Sequence, residues 1–180
     1  MEVEVKFHLS EDEANAVRAK LAKNFTLVKR VVQSDVYFSH PRIDLNDRVF
    51  RLRKEGKRVI LTYKGPRLSH NLKVREELEV EVSEFAEMKK ILRNLGFIET
   101  ATIEKIRETY LVDSNAFVNL DKVKGLGYFI EVELITDITN FDSITRKIRE
   151  ITSVLGLNHK RALSVSYFEL LQRGSAMDLT

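Results

Sequence analysis

The chain contains no cysteine and only two prolines. Disulfide frameworks, thiol nucleophiles and cysteine-bound zinc are therefore excluded, and a reducing, cytoplasmic setting is expected. Low-complexity behaviour is excluded as well, because 32% charged residues and so few prolines are ordinary for a folded domain. No apolar run approaches the ~20 residues that a bilayer-spanning helix needs, so no membrane partner is expected. Residues 1–8 alternate charged and apolar side chains instead of forming a hydrophobic stretch behind a basic start, which argues against an export signal.

What is present is a chain of 180 residues, 43% of them hydrophobic, long enough to bury a real core. With no linker in view, a single domain is expected over residues 1–172, followed by a flexible tail at 173–180. Lys+Arg 30 against Asp+Glu 27 gives a net charge of only +3, a weak pointer to an anionic partner. The placement of those charges says more than their sum.

Apolar and charged residues alternate with a period of two through most of the sequence, the pattern of strands. Strands are predicted over 2–9, 27–39, 48–54, 58–64, 73–82, 97–112, 116–121 and 128–135. Helices are predicted in between. Ser10 with Glu13 forms a capping box before the stripe Ala14, Val17 and Leu21. A second helix runs from Ser83 through Met88, Ile91, Leu92 and Leu95 to Gly96, and a third carries Ile144, Ile148, Ile151 and Leu155 and ends at Gly156. A fourth, short one is expected from Ser164 to Leu171. Glu2-Val3-Glu4-Val5, Glu77 to Val82 and Glu131 to Leu134 are each followed by a helix, a repeated strand-then-helix unit around one sheet.

The alternation has an unusual chemistry. Same-parity positions of many strands are charged in both signs: Glu2, Glu4 and Lys6; Arg51, Arg53 and Lys64; Lys73, Arg75, Glu77, Glu79 and Glu81; Lys105, Arg107, Asp121, Glu131 and Glu133. Their opposite faces carry Val3, Val5, Phe50, Leu52, Leu78, Val80, Ile106, Val118, Leu120, Ile130 and Val132, which need cover. Helices packed outside a strongly curved sheet supply that cover and turn the charges inward, giving an α+β fold: a closed eight-stranded antiparallel barrel with a charged interior. The inward list holds eight acids and eight bases, so carboxylates could bind hard divalent cations while Arg and Lys face phosphate oxygens.

Read in order, Glu2-x-Glu4-x-Lys6, Arg51-x-Arg53, Thr62-Tyr63-Lys64-Gly65-Pro66, Lys73-x-Arg75-x-Glu77-x-Glu79, Lys105-x-Arg107, Asp121-x-Val123, Gly127-x-Phe129-x-Glu131-x-Glu133 and Ser166-Tyr167 resemble the CYTH superfamily, the triphosphate tunnel metalloenzymes. That family includes class IV adenylate cyclases, thiamine triphosphatases and inorganic tripolyphosphatases. The resemblance implies Mg2+ or Mn2+ held by Glu2, Glu4 and Glu131, with Glu133, Asp121 and Glu79 as further ligands. It implies a triphosphate gripped by Lys6, Arg51, Arg53, Lys64, Lys73, Arg75, Lys105 and Arg107, with Arg161 added. Glu2, Glu4, Lys6, Arg53 and Lys160 are the expected catalytic set, Lys160 as a basic plug ahead of the last helix. Cyclase-type members carry a His-Phe pair before the acidic strand, for which this chain leaves no room ahead of Met1. The expectation is therefore a triphosphatase acting on tripolyphosphate, ATP or thiamine triphosphate, with the cyclase as alternative. A non-catalytic polyphosphate or nucleic-acid binder is the second alternative; carboxylates sharing a face with the arginines would repel a bare phosphate backbone, so no nucleic acid is expected. A homodimer is compatible with this reading. His8, His40, His70 and His159 lack metal-ligand spacing, although His8 has lumen parity. Gly125-x-Gly127 reads as a tight hairpin.

Overall fold

The computed structural model describes residues 2–43, 48–66, 73–136, 141–163 and 165–172, without the side chains of residues 73–75 and 141. The expected tail at 173–180, Ser164 and His70 lie outside the described residues. Charged-apolar alternation builds β1 (Glu2–Leu9), and the chain continues through α1 (Glu11–Asn24), β2 (Thr26–Ser39), β3 (Val49–Glu55), β4 (Arg58–Lys64), β5 (Lys73–Arg75), β6 (Glu77–Val82), α2 (Phe85–Asn94), β7 (Ile98–Asp113), β8 (Ala116–Val123), β9 (Gly127–Ile135), α3 (Phe141–Leu155) and α4 (Tyr167–Gln172). Every pairing is antiparallel, in the order β5-β1-β9-β8-β7-β2-β3-β4-β6.

The two ends of that order are successive pieces of one stretch of chain. β5 pairs with β1, Glu2 opposite Arg75, and β6 pairs with β4, Lys64 opposite Glu77, with Glu76 alone between them. The strand expected over 73–82 therefore breaks at Glu76 and closes the eight-stranded barrel by changing partners. Glu76 stays tied in, since its carbonyl accepts from Gly65 N–H at 2.9 Å.

Outside the barrel, the strand-then-helix repeat sets the layers. Ser10 and Glu13 form the capping box that starts α1, with reciprocal bonds of 2.7 and 3.2 Å. Ala14, Val17 and Leu21 of α1 and Ile144, Ile148, Ile151 and Leu155 of α3 bury against Val3, Val118, Leu120, Ile130 and Val132. Each of the valines, leucines and isoleucines taken from water stabilises the fold by roughly 1.5–3 kcal/mol. Gly156 ends α3 at a φ of +77°, where Lys20 Nζ donates to Leu155 O at 2.9 Å. A Cβ at Gly156 would come within 2.3 Å of that ammonium.

α2 caps the other side, placing Leu92 with Met88 and Phe85 on Val36, Phe38, Leu52 and Val59. Its cover does not reach the outer face of β6: Leu78 and Val80, expected beneath a helix, are each 56% exposed. The reason is the path of α2, which leaves β6 after Val82 and lies over β2, β3 and β4 instead. Among the described residues no helix is long and apolar enough to cross a membrane.

A third cluster lies on lumen-parity positions. Tyr37, Ile103, Val123 and Phe129 pack with Leu126 and with Tyr167 and Leu170 of α4. Part of the interior is thus apolar, a feature the sequence pattern did not announce. The Gly125 and Gly127 hairpin adopts φ of +80° and +91° as a tight turn requires.

Candidate functional site

The remaining interior is a cavity of about 430 Å³ whose wall is divided by charge. Going round the barrel, β6, β1 and β9 flank the closure and present Glu77, Glu79, Glu2, Glu4, Glu131 and Glu133. Across from them β7, β2 and β3 present Lys105, Arg107, Lys29, Arg51 and Arg53. Lys64 of β4 and Asn119 of β8 stand at the two seams.

The basic half is held by a buried carboxylate. Arg53 Nε and Nη2 donate to Asp35 Oδ1 and Oδ2, both at 2.7 Å, and Arg51 Nη1 reaches Oδ2 at 3.5 Å. Burial disfavours the Asp35 anion, but Arg51 and Arg53 outweigh it and hold the carboxyl well below the usual range. Arg51 also donates to Thr62 Oγ1 at 3.3 Å. Burial and the adjacent Arg107 push Lys105 down to about 8, and a bound anion would favour its charged form. Lys29 pairs with Glu55 at the same wall.

In the acidic half two ammoniums lie between carboxylates. Lys64 Nζ sits 3.2 Å from Glu2 and 2.9 Å from Glu77; Lys6 Nζ sits 3.4 Å from Glu4 and 2.9 Å from Glu131. The carboxylates still outnumber their cations locally. Burial and the neighbouring Glu2 push Glu77 up to about 8, while Lys64 keeps Glu2 low against its own burial, so the pair shares one proton. Burial and Glu2, with Glu131 and Glu4, push Glu133 up to about 7. Asn119 Nδ2 donates to Glu133 at 3.1 Å and accepts at Oδ1 from Thr109 at 2.7 Å.

Two of the expected metal ligands are bonded to cations in this structure. Asp121 is fully buried and receives Arg107 at 2.7 and 2.6 Å, Lys105 at 3.2 Å and the Tyr167 hydroxyl at 2.9 Å. It does not face the cavity and anchors cations from behind. Glu131 is bonded to Lys6 and Arg107, which overcome its burial and keep it well below the usual carboxylate range. Among the described residues no three carboxylate or imidazole side chains converge on one point as they stand. The donor set nonetheless fits a hard divalent cation: Glu2, Glu4, Glu77, Glu79 and Glu133 offer oxygen alone, and two of them retain protons for want of positive charge.

The structure thus brings together Glu2, Glu4, Lys6, Arg51, Arg53, Lys64, Glu79, Lys105, Arg107, Glu131 and Glu133 around one cavity. Lys73 and Arg75 are placed by backbone register opposite Glu4 and Glu2, and their side chains lie outside the described residues. Lys160 and Arg161 are not part of the cavity wall. Lys160 is drawn to α1, 2.8 Å from Glu13 and 3.1 Å from His8 O, and Arg161 is exposed. Glu81 pairs with Arg58 in solvent instead of facing inward. His8 meets Phe129 edge-on at 5.2 Å and is not at the cavity.

A family model of the CYTH domain matches residues 1–167. The chain belongs to the CYTH domain family. CYTH proteins are triphosphatases or cyclases and generally depend on divalent metals. A relative named "Putative adenylate cyclase MJ0240" from Methanocaldococcus jannaschii is 36% identical over 172 residues, 93% of this CYTH chain and 98% of that protein. The structure of PH1819 protein from Pyrococcus horikoshii OT3 matches with a TM-score of 0.82 at 31% identity, covering 96% of this chain and 99% of that one. HpAC1 from Hippeastrum, an adenylyl cyclase by name described as having a dominant triphosphatase activity, shares the fold with a TM-score of 0.72 at 18% identity, over 97% of both chains.

Proposed function

We propose that this chain hydrolyses a triphosphate, either inorganic tripolyphosphate or an organic triphosphate, inside the barrel with Mg2+ or Mn2+. The supporting observation is the division of one enclosed wall into a carboxylate half and a guanidinium-ammonium half. A polyphosphate and its divalent cations need both halves at once, and a bare polyanion needs only the second. Glu2, Glu4, Glu79 and Glu133 would hold the metal, which when bound neutralises phosphate charge.

The chain's own contribution is grip and orientation. Arg51, Arg53, Lys105 and Arg107 bind non-bridging oxygens, and Asp35 fixes the plane of the Arg53 guanidinium by its two bonds of 2.7 Å. Water attacks the terminal phosphorus, the bond to the bridging oxygen breaks, and orthophosphate and the shortened phosphate leave. Lys6 and Arg53 offset the charge that the transferred group gains. Lys160 and Arg161 have no part in this reading, given their position away from the cavity.

The likeness to MJ0240 supports a second reading, in which a ribose hydroxyl attacks the innermost phosphorus of ATP to give cyclic AMP and pyrophosphate. Purified protein incubated with Mg2+ or Mn2+ and, separately, tripolyphosphate, ATP and thiamine triphosphate separates the two. Orthophosphate release supports hydrolysis. Cyclic AMP with pyrophosphate from ATP replaces hydrolysis by cyclisation, and no turnover of any of the three overturns both.

A further inference from the structure

Everything around the short helix α4 fixes where the ring of Tyr167 lies. The segment leading into it joins the sheet at Lys6, whose carbonyl accepts from Leu163 N–H at 2.7 Å. Reciprocal bonds then hold the first turn: Glu169 N–H donates to Ser166 Oγ at 3.1 Å, and Ser166 N–H to Glu169 Oε2 at 2.6 Å. Phe168 stacks on Tyr37 with 5.4 Å between ring centroids, and Tyr167 meets Phe129 edge-on at 5.0 Å.

So placed, the Tyr167 ring is buried yet faces the cavity cations. Lys6 Nζ stands 3.9 Å over its centroid and Lys105 Nζ 5.0 Å. The hydroxyl donates to Asp121 Oδ2 at 2.9 Å, and Asp121 in turn orients Arg107 and Lys105. Burial, reinforced by Asp121 and Glu131, keeps the phenol protonated far above its usual range, so it acts as a donor and not as a base.

We infer that Tyr167 is a positioning residue for the phosphate-binding cations: its face sets the ammoniums of Lys6 and Lys105, and its hydroxyl anchors Asp121 behind them. This rests on the reading of the cavity as a triphosphate site. A purely structural tyrosine would supply apolar volume, which leucine largely replaces; the π face toward two ammoniums is what leucine lacks.

The test compares Tyr167→Leu with Tyr167→Phe, which keeps the ring and loses the hydroxyl. Lysine labelling by an amine-reactive reagent, read residue by residue by mass spectrometry on unliganded protein, reports the ammoniums directly, alongside thermal melting and phosphate release from tripolyphosphate. In Tyr167→Leu, labelling of Lys6 and Lys105 is expected to rise about 2- to 30-fold, the span of a cation–π contact, while Lys64 labelling stays level. kcat falls in that variant with a smaller change in KM. Tyr167→Phe, which keeps the ring face, should restore the labelling pattern but recover kcat only in part, because Asp121 loses its anchor, and it should melt lower than wild type. Unchanged Lys6 and Lys105 labelling in Tyr167→Leu, a rise shared by Lys64, or a phenylalanine variant as impaired as the leucine one each overturns the inference. If wild-type protein releases no phosphate from any triphosphate, the functional reading fails, and the labelling comparison still decides whether Tyr167 sets the two ammoniums.

Discussion

Replacing Asp35 by asparagine tests the basic half of the wall most directly. The side chain is 1% exposed and gives Arg53 two bonds of 2.7 Å and Arg51 a third contact of 3.5 Å. Asparagine keeps the shape and removes the charge, leaving two guanidiniums, 7% and 8% exposed, without the anion that offsets their desolvation. Breaking a buried ion pair from one side costs about 3–5 kcal/mol. Against a typical total stability of about 5–15 kcal/mol, that brings the variant close to its unfolding threshold. Equilibrium urea denaturation measures the loss.

The same variant has a ligand arm. Tripolyphosphate supplies oxygens to the two arginines, and a ligand that binds only the folded state stabilises it by mass action. The gap between wild type and Asp35→Asn should therefore narrow when tripolyphosphate is added. A gap below about 1 kcal/mol without ligand would mean that the arginines are not balanced by this carboxylate. A gap that does not change on adding tripolyphosphate would mean that they do not face the phosphate. Acid should act on wild type in the same sense: the Asp35 carboxyl is depressed by Arg51 and Arg53 against burial, so its contribution is present above its unfolded value near 3.8 and disappears as pH falls through the folded one.

The acidic half predicts the opposite slope. Glu133 is pushed up to about 7 and Glu77 to about 8, so the folded state binds more protons than the unfolded chain from about 4.5 upward, and stability should decline across that window; thermal melts at a series of pH values check this, and Mg2+ should flatten the decline. Lys64→Met removes the ammonium between Glu2 and Glu77 and should tighten binding of Mn2+ alone by at least about tenfold, read as loss of the free-ion electron paramagnetic resonance signal; equal or weaker binding refutes the competition. Glu4→Gln should lower metal-dependent turnover by roughly 10²-fold or more with an unchanged melting curve, because it removes a ligand charge at constant shape. Turnover at the wild-type rate would remove Glu4 from the metal site.

The inward face is legible in the sequence where strands are regular. Glu2, Glu4 and Lys6 of β1, Arg51 and Arg53 of β3, and Glu131 and Glu133 of β9 all reach the cavity because nothing interrupts their alternation. β2 breaks that pattern. A bulge between Leu27 and Lys29 shifts its register, and Lys29 beside Arg30 makes neighbouring residues charged on both faces, so Gln33, Asp35 and Tyr37 were not read as one inward row. The alternation of Gln33-x-Asp35-x-Tyr37 beyond the bulge was the available signal. Lys160 lies away from the cavity for a different reason: its place in the chain, just before α4, says nothing about direction, and Glu13 of a distant helix draws it away. Tyr167 enters only as part of the Ser166-Tyr167 motif of a short helix, and that does not separate packing on the outside of a barrel from insertion into it.

The break at Glu76 explains why the acidic half exists as a unit. Had residues 73–82 continued as one strand against β4, β1 would have kept a free edge and Glu2 no neighbouring strand other than β9. By handing the chain from β1 to β4 within one residue, the closure sets Glu77, opposite Lys64, beside Glu2, opposite Arg75. Lys64 then bridges both carboxylates across the joint, where burial and the adjacent Glu2 hold Glu77 above its ordinary value. An open sheet would let such like charges relax apart into water, where their repulsion is small. Closure removes that escape, so the device that completes the barrel also creates the local excess of negative charge that a divalent cation relieves.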